Sequence, residues 1–226
     1  AAALVIAGFG LFGFLALKAM RLPVRAFLTP LMHSNVGNIG LPITFLAFGN
    51  AGMSYSMAFV VVMLVSIFTV GMWIPSGSFS VKSLLKSPII YAVIISLGLM
   101  ATDQHLPVPI EKSFAILGGL SIPLMLLTLG HTLATLKIGT LWRALGLTGL
   151  HLVLAVTIAL ILVPVFGFTG VQRGAFVLCC LMPSSVATYL FIDKHVPEYA
   201  ADVAGFILVS TLVTVLVLPL ALTFWI

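Results

Sequence analysis

The stretch between Arg25 and Lys82 contains no Lys, Arg, Asp or Glu. An apolar stretch of that length predicts two consecutive membrane-spanning helices, because one span needs about 20 residues. The first of the two is interrupted at residues 33–42 by the sequence His-Ser-Asn-Val-Gly-Asn-Ile-Gly-Leu-Pro. Asn, Gly and Pro at membrane depth predict a broken helix. Its free N–H and C=O groups cost several kcal/mol each in hydrocarbon unless protein, water or a ligand satisfies them.

Broken helices of this kind occur where they line a cavity, as in secondary transporters, so transport is the leading hypothesis. The composition agrees with a membrane protein. The chain is 62% hydrophobic and 7% charged, whereas a soluble domain has about 25% charged residues. Basic residues are not clustered with aromatic ones, and there is no basic tail, so we expect no nucleic-acid partner. The lipid bilayer is the expected surrounding.

Uncharged runs of about 17–25 residues predict eight spans joined by short, turn-like connectors. None of the connectors is long enough to form a soluble domain. The sequence therefore predicts an all-α, multi-pass membrane protein. The spans lie at residues 1–19, 27–48, 54–74, 88–102, 113–133, 144–166, 174–192 and 203–225.

Positive charge is distributed unevenly between the two faces that these spans define. Lys112 and Arg173 lie on one face, and eight basic residues lie on the other. The positive-inside rule places the richer face in the cytoplasm. The C-terminus is then expected outside, with Trp225 as an interfacial anchor. The eight basic residues are Lys18, Arg21, Arg25, Lys82, Lys86, Lys137, Arg143 and Lys194.

A second break is predicted at residues 181–189, inside the seventh span. Pro183 removes a helical hydrogen bond and suits the first position of a new half-helix. Ser184 and Ser185 place hydroxyls beside the freed backbone. Two half-helix N-termini that meet near the midplane would present partial positive charge and unpaired N–H groups, which favours an anionic ligand.

Spans one to three and spans six to eight share one layout, in which a plain helix is followed by a broken helix and a long apolar helix. The two sets run in opposite directions, which is typical of inverted-repeat transporters. The fourth and fifth spans have no counterparts ahead of the first. We therefore expect a five-plus-five architecture whose first two helices are missing from this chain. The repeat aligns Phe27 with Phe176, Ser34 with Pro183, and Asn35 with Ser184.

Three stretches, at Asn35–Pro42, Leu120–Gly130 and Met182–Glu198, resemble the auxin efflux carrier family, which includes plant auxin carriers and bacterial malonate-type permeases. Ser34 stands where plant members have Pro, and the soluble central loop of the long plant carriers is absent. A bacterial permease of the inner membrane is therefore the better match.

The resemblance implies a transport domain of residues 1–74 and 137–226 that moves against scaffold helices in residues 75–136. It also implies a secondary transporter for a small organic anion such as a dicarboxylate, working by alternating access, and a homodimer formed through the scaffold. In the family the crossed breaks form the substrate site. The residues that carry over are Asn35, Asn38, Pro42, Pro183, Ser184 and Ser185.

Other roles remain open for these polar residues. The two Asn can join helices, and the two Ser can bond to their own backbone. His33 directly precedes the first break and is a candidate contact for substrate or a proton, whereas His131 and His151 are interpreted as structural. Among the acids, Asp202 is the marginal candidate for a coupling site.

No cofactor or metal is expected, and the motifs of intramembrane enzymes are absent from the sequence. A channel or a structural membrane subunit is the alternative function. A channel requires a pore-lining ring, and none is evident. A structural subunit gives no reason for two matched breaks.

Overall fold

The computed structural model describes residues 1–78, 88–102, 106–135 and 139–224, and the regular secondary structure of these residues is helical. The α-helices are α1 (Ala2–Ala19), α2 (Val24–Met32), α3 (Leu41–Ser66), α4 (Met72–Ser76), α5 (Pro88–Ala101), α6 (Val108–Thr135), α7 (Leu141–Phe166), α8 (Gly170–Leu181), α9 (Val186–His195) and α10 (Ala200–Phe224). Val36–Gly40 and Ile67–Gly71 are π-helical, and Pro197–Tyr199 is a 3₁₀ turn.

The predicted all-α membrane fold is confirmed, and each predicted span falls on helical residues. In the described part of the chain, five helical segments are individually long and apolar enough to cross a membrane. The seventh span is instead assembled from two short helices, α8 and α9. Lys82, Lys86, Lys137 and Trp225, on which part of the topology prediction depends, lie outside the described residues.

The chain reverses direction inside α3, at Gly49. Gly49 has φ 62° and ψ −152°, a conformation that is open to glycine because it has no Cβ. Gly52 allows the close turn that follows, since a Cβ there would lie 2.5 Å from the Cβ of Phe48. Residues 41–48 therefore lead away from the first break, and residues 50–66 return alongside it.

Residues 50–76, which we call the returning arm, are held against α2 by three hydrogen bonds, which we call the polar ladder. The Arg25 guanidinium donates to Pro75 O at 2.7 Å, and the Thr29 hydroxyl donates to Gly71 O at 2.9 Å. The third rung joins the His33 ring to Ser66 Oγ at 3.0 Å. Gly71 lies in the second π-helix, where a widened backbone exposes carbonyl groups. The ladder holds the first broken helix antiparallel to residues 66–75.

One end of the described bundle gathers basic side chains and the loops next to them. Arg143 forms a salt bridge with Asp202, and the second carboxylate oxygen of Asp202 accepts Thr140 N–H at 2.8 Å. Gly139 permits this approach, because a Cβ there would lie 2.5 Å from Asp202 Oδ1. Asp202 therefore ties the starts of α7 and α10 together, and both of its oxygens are used within the protein.

The opposite end holds the start of α1 and the end of α7. Ala1, Tyr55, Phe168 and Gln172 together line an apolar cavity of about 260 Å³ there. Helices α1 and α7 thus run in opposite directions, as the sequence predicted for the first and sixth spans. The core between the two ends surrounds the two breaks, and its fully buried members include Phe9, Phe27, Leu31, Leu178 and Phe206.

Candidate functional site at the crossing of two broken helices

The first break follows α2, which contains Pro30 and ends at Met32. His33 is extended, with φ −113° and ψ 105°, and Asn35 is also non-helical, with φ −81° and ψ 54°. The chain then resumes as the π-helix Val36–Gly40, and Asn35 O accepts the N–H groups of Ile39 and Gly40. Three residues of extended chain therefore separate two half-helices.

The second break has the same form between α8 and α9. Met182 is extended, with φ −61° and ψ 143°, and so is Ser185, with φ −72° and ψ 129°. Pro183, which has no N–H, lies between them. The predicted interruption of both helices is therefore present at the predicted positions.

The two extended segments are hydrogen-bonded to each other. Asn35 N–H donates to Pro183 O at 2.7 Å, and Ser185 N–H donates to His33 O at 2.8 Å. This pair of bonds is an isolated antiparallel bridge centred on Ser34 and Ser184. The bridge is two-fold symmetric, and it places Ser34 opposite Ser184. The helix ends before the two breaks, Met32 and Leu181, keep the register of the sequence alignment, whereas the bridge pairs Ser34 with Ser184.

Further bonds hold the bridge in the bundle. The Ser184 hydroxyl donates to Pro30 O at 2.8 Å, and Ser184 N–H donates to Ser210 Oγ at 3.3 Å. On the other side, His151 of α7 lies within 3.3 Å of Leu31 O and 2.9 Å of Met182 O. Hydrogen bonds at the crossing therefore join α2, α7, α8 and α10.

A cavity of about 190 Å³ lies beside the bridge. One wall is polar and comes from the two breaks, while the other is apolar and comes from the returning arm of α3 and the second π-helix. Among the described residues, neither an acidic nor a basic side chain lines this cavity. The polar wall is Ser34, Asn35, Gly37, Asn38 and Ser185 with Ala187, and the apolar wall is Val60, Met63, Leu64, Ile67 and Phe68.

Asn35 has a donor without a partner at this cavity. Its side chain is 3% exposed, and its amide Nδ2 makes no hydrogen bond within the described residues. A buried donor without a protein partner costs about 1–3 kcal/mol unless water or a ligand satisfies it. A ligand that offers a hydrogen-bond acceptor would relieve it.

Two helix N-termini also begin at the cavity without a side-chain cap. Asn35 is the N-cap of the π-helix and Ser185 is the N-cap of α9, and neither side chain bonds to the helix that it precedes. Asn and Ser are the residue types that usually make this bond. Uncapped N-termini present N–H groups and partial positive charge, which favours an acceptor that carries negative charge.

The structure divides the predicted site residues into two groups. Asn35, Asn38 and Ser185 line the cavity. Pro42 is buried at the start of α3, and Pro183 and Ser184 build the bridge. The apolar wall was not predicted, because its residues look like ordinary membrane-facing side chains in the sequence.

Both ring nitrogens of His33 have partners within the protein. Nδ1 lies 2.9 Å from Thr29 O, which can only accept, so this nitrogen carries the proton. Nε2 then accepts the Ser66 hydroxyl at 3.0 Å. His33 is fully buried and does not line the cavity. The sequence led us to interpret His151 as structural, but its ring contacts both broken helices. An ionisable side chain deep in an apolar span is the sequence signal that marks it as a functional candidate.

These features describe a multi-pass α-helical membrane protein whose two broken helices cross beside a cavity, an arrangement found in transporters. A family model described as membrane transport protein matches residues 74–222. The match covers more than half of the chain, so the protein belongs to this family, that of the auxin efflux carriers, as the resemblance indicated. The matched range includes the second break and excludes the first. Comparison with curated proteins and with solved structures gave no match.

Proposed function

We propose that the protein is a secondary transporter that carries a small organic anion across the plasma membrane by alternating access. The observation that supports this most is the unpartnered Asn35 amide in the cavity wall. An amide donor, two uncapped helix N-termini and a wall without acidic side chains all favour a ligand with a carboxylate over a cation.

The apolar wall adds a second requirement for the ligand. Val60, Met63 and Ile67 face the polar wall across a narrow cavity, so a ligand that fills it has an apolar part opposite its carboxylate. A short monocarboxylate such as butyrate has an apolar part opposite its carboxylate, whereas a short dicarboxylate such as malonate has a second carboxylate there. A dicarboxylate is the ligand expected from the sequence, and the two anions are therefore tested side by side.

Alternating access would be performed by residues 1–74 and 137–226 moving as a transport domain against scaffold helices in residues 75–136. Helix α6 of the scaffold contacts the π-helix Val36–Gly40 next to the cavity. Movement of the crossing past α6 would expose the cavity to one side of the membrane and then to the other. We further propose that the scaffold forms a homodimer, which chemical crosslinking in membranes would test.

The orientation has its own test. The basic end that includes Arg25 and Arg143 is assigned to the cytoplasm, and the C-terminus to the outside. A cysteine added after Ile226 should react with a membrane-impermeant maleimide in intact cells. Labelling only after the cells are opened would reverse the orientation.

The function itself is tested by a ligand-stability screen of the purified protein against carboxylates, amino acids and indole acids. We expect carboxylates to raise the melting temperature, since a ligand that binds only the folded state stabilises it. Uptake of the same radiolabelled anion into proteoliposomes then distinguishes transport from binding. Stabilisation by cations alone would contradict the proposal.

A further inference from the structure

His151 is a buried ionisable side chain that bridges both broken helices. It is 4% exposed. Its Nε2 lies 2.9 Å from Met182 O and its Nδ1 lies 3.3 Å from Leu31 O. Leu31 is in the last turn of α2, and Met182 is the C-cap of α8. Since the C-terminus of a helix carries partial negative charge, His151 lies between the negative ends of the two inner half-helices.

The two contacts of His151 cannot both be hydrogen bonds when the ring is neutral. A carbonyl oxygen only accepts, and a neutral imidazole has a single N–H. Neutral His151 donates to the nearer oxygen, that of Met182, and directs a lone pair at Leu31 O. An imidazolium donates to both oxygens. His33 differs, because one of its two neighbours is the Ser66 hydroxyl, which can donate to a neutral ring.

The surroundings of His151 contain no fixed counter-charge within the described residues. The rings of Phe9 and Phe206 pack against it, with centroids at 5.0 and 5.9 Å. Among the described residues near the crossing, His33, Cys179 and Cys180 are also titratable, and none of these three has a hydrogen bond to the His151 ring. The charged side chains on the helices around His151 lie in first or last turns; they are Lys18, Arg25, Arg143, Arg173 and Asp202.

We infer that His151 is a proton-binding site that takes up one proton when the cavity binds its anion. This inference rests on the proposed function. With the cavity empty, an imidazolium in an apolar interior has no counter-ion and is disfavoured. An anion held at Asn35 lies beside the same bridge and supplies the missing negative charge, and its attraction for the imidazolium is strong at low dielectric.

The proton comes from water and adds to Nδ1, which then donates the second hydrogen bond, to Leu31 O. The site is discharged by the reverse step when the anion leaves, and the proton returns to water on that side of the membrane. A monocarboxylate and its proton would thus move together with no net charge, and a dicarboxylate dianion and its proton with a net charge of −1. The bound proton also joins α2 to α8 through one ring, so that occupancy of the cavity tightens the crossing.

The test is isothermal titration calorimetry of the full chain with malonate at neutral pH, in two buffers with different heats of protonation. The difference between the buffers counts the protons bound per anion. His151→Gln retains a donor for Met182 O but cannot gain a proton. His195→Gln is the matched control, because His195 is exposed at the end of α9. Protonation of malonate itself contributes equally to all the proteins.

We expect the wild type and His195→Gln to bind about one proton more per malonate than His151→Gln does. In the first two proteins the affinity should fall by up to about tenfold per pH unit as the pH rises, because binding one ligand then requires one proton. Equal proton uptake in all three proteins would overturn the inference and leave the proposed function intact. Failure of all three to bind malonate or butyrate would overturn both.

A measurement on the unsubstituted protein covers the case in which His151→Gln does not fold. Nitrogen-15 spectra of labelled imidazoles distinguish a neutral ring, whose two nitrogens differ, from an imidazolium, whose nitrogens are alike. Addition of malonate should convert one buried neutral histidine into an imidazolium. Spectra in which malonate binds and every buried ring stays neutral would overturn the inference.

Discussion

The two broken helices follow matching backbone paths but use their polar side chains differently. In the second break the Ser184 hydroxyl donates to Pro30 O, and its N–H donates to Ser210 Oγ. In the first break the Asn35 amide nitrogen is buried without a partner among the described residues, and Asn35 lines the cavity. A hydroxyl is readily satisfied by a nearby carbonyl, whereas a side-chain amide brings two N–H donors. Ser184 is therefore satisfied within the protein, whereas the Asn35 amide needs a partner from outside the described residues.

This difference predicts opposite consequences for the two breaks. Asn35→Ala should weaken malonate binding by about ten- to a hundredfold, because a hydrogen bond to a charged ligand group contributes about 1.5–3 kcal/mol. The unfolding free energy without ligand should equal that of the wild type or exceed it by up to about 1–3 kcal/mol, since no protein group loses a partner and an unsatisfied donor is removed. Titration calorimetry measures the first quantity and denaturant unfolding the second.

Asn50→Ala is the matched control for Asn35→Ala, because Asn50 is exposed near the turn at Gly49. It should bind malonate as the wild type does. If Asn35→Ala binds as tightly as Asn50→Ala, then Asn35 has no part in ligand binding.

Ser184→Ala should lower the unfolding free energy by about 1–3 kcal/mol, because the buried carbonyl of Pro30 loses its donor. Malonate affinity per folded molecule should be unchanged. Ser54→Ala is the control, since the exposed Ser54 hydroxyl bonds only within its own helix, to Asn50 O. If Ser184→Ala has the unfolding free energy of the wild type but loses malonate affinity, then Ser184 of the second break binds the ligand.

Ser66→Ala should cost about 1 kcal/mol of stability, because Nε2 of buried His33 loses its donor and the polar ladder loses a rung. Malonate affinity should be unchanged, which would show that His33 does not contact the ligand. Denaturant unfolding and malonate titration of Ser66→Ala are compared with the same measurements on Ser54→Ala, whose site is exposed. A large loss of affinity with normal stability would instead place His33 at the ligand.

Gly37→Ala should change stability only slightly and should weaken ligand binding. A Cβ at Gly37 meets no atom within 4 Å and points into open space at the cavity wall. The substitution should add about 0.5–1 kcal/mol of stability through the unfolded chain and weaken butyrate and malonate by narrowing the cavity. Gly98→Ala, at an equally open helical position in α5, should show no change in binding.

The fold was predictable because its signals are strong and local. Long uncharged runs define the spans, and Asn, Gly and Pro define the breaks. The candidate site was predictable only in part, because Ser184 and Ser185 are adjacent in sequence yet one bonds to Pro30 O and the other lines the cavity. The position of His151 between Leu31 O and Met182 O depends on a tertiary contact that no local pattern encodes.

The most direct test of the difference between the breaks is the melting temperature of Asn35→Ala and Ser184→Ala, each measured with and without malonate. Ligand stabilisation depends on concentration relative to Kd, so it reports binding independently of the starting stability. We predict that Ser184→Ala melts below the wild type but gains the full malonate shift. Asn35→Ala should melt at or above the temperature of the wild type and gain almost none of the malonate shift. A malonate shift that survives in Asn35→Ala and disappears in Ser184→Ala would contradict this account.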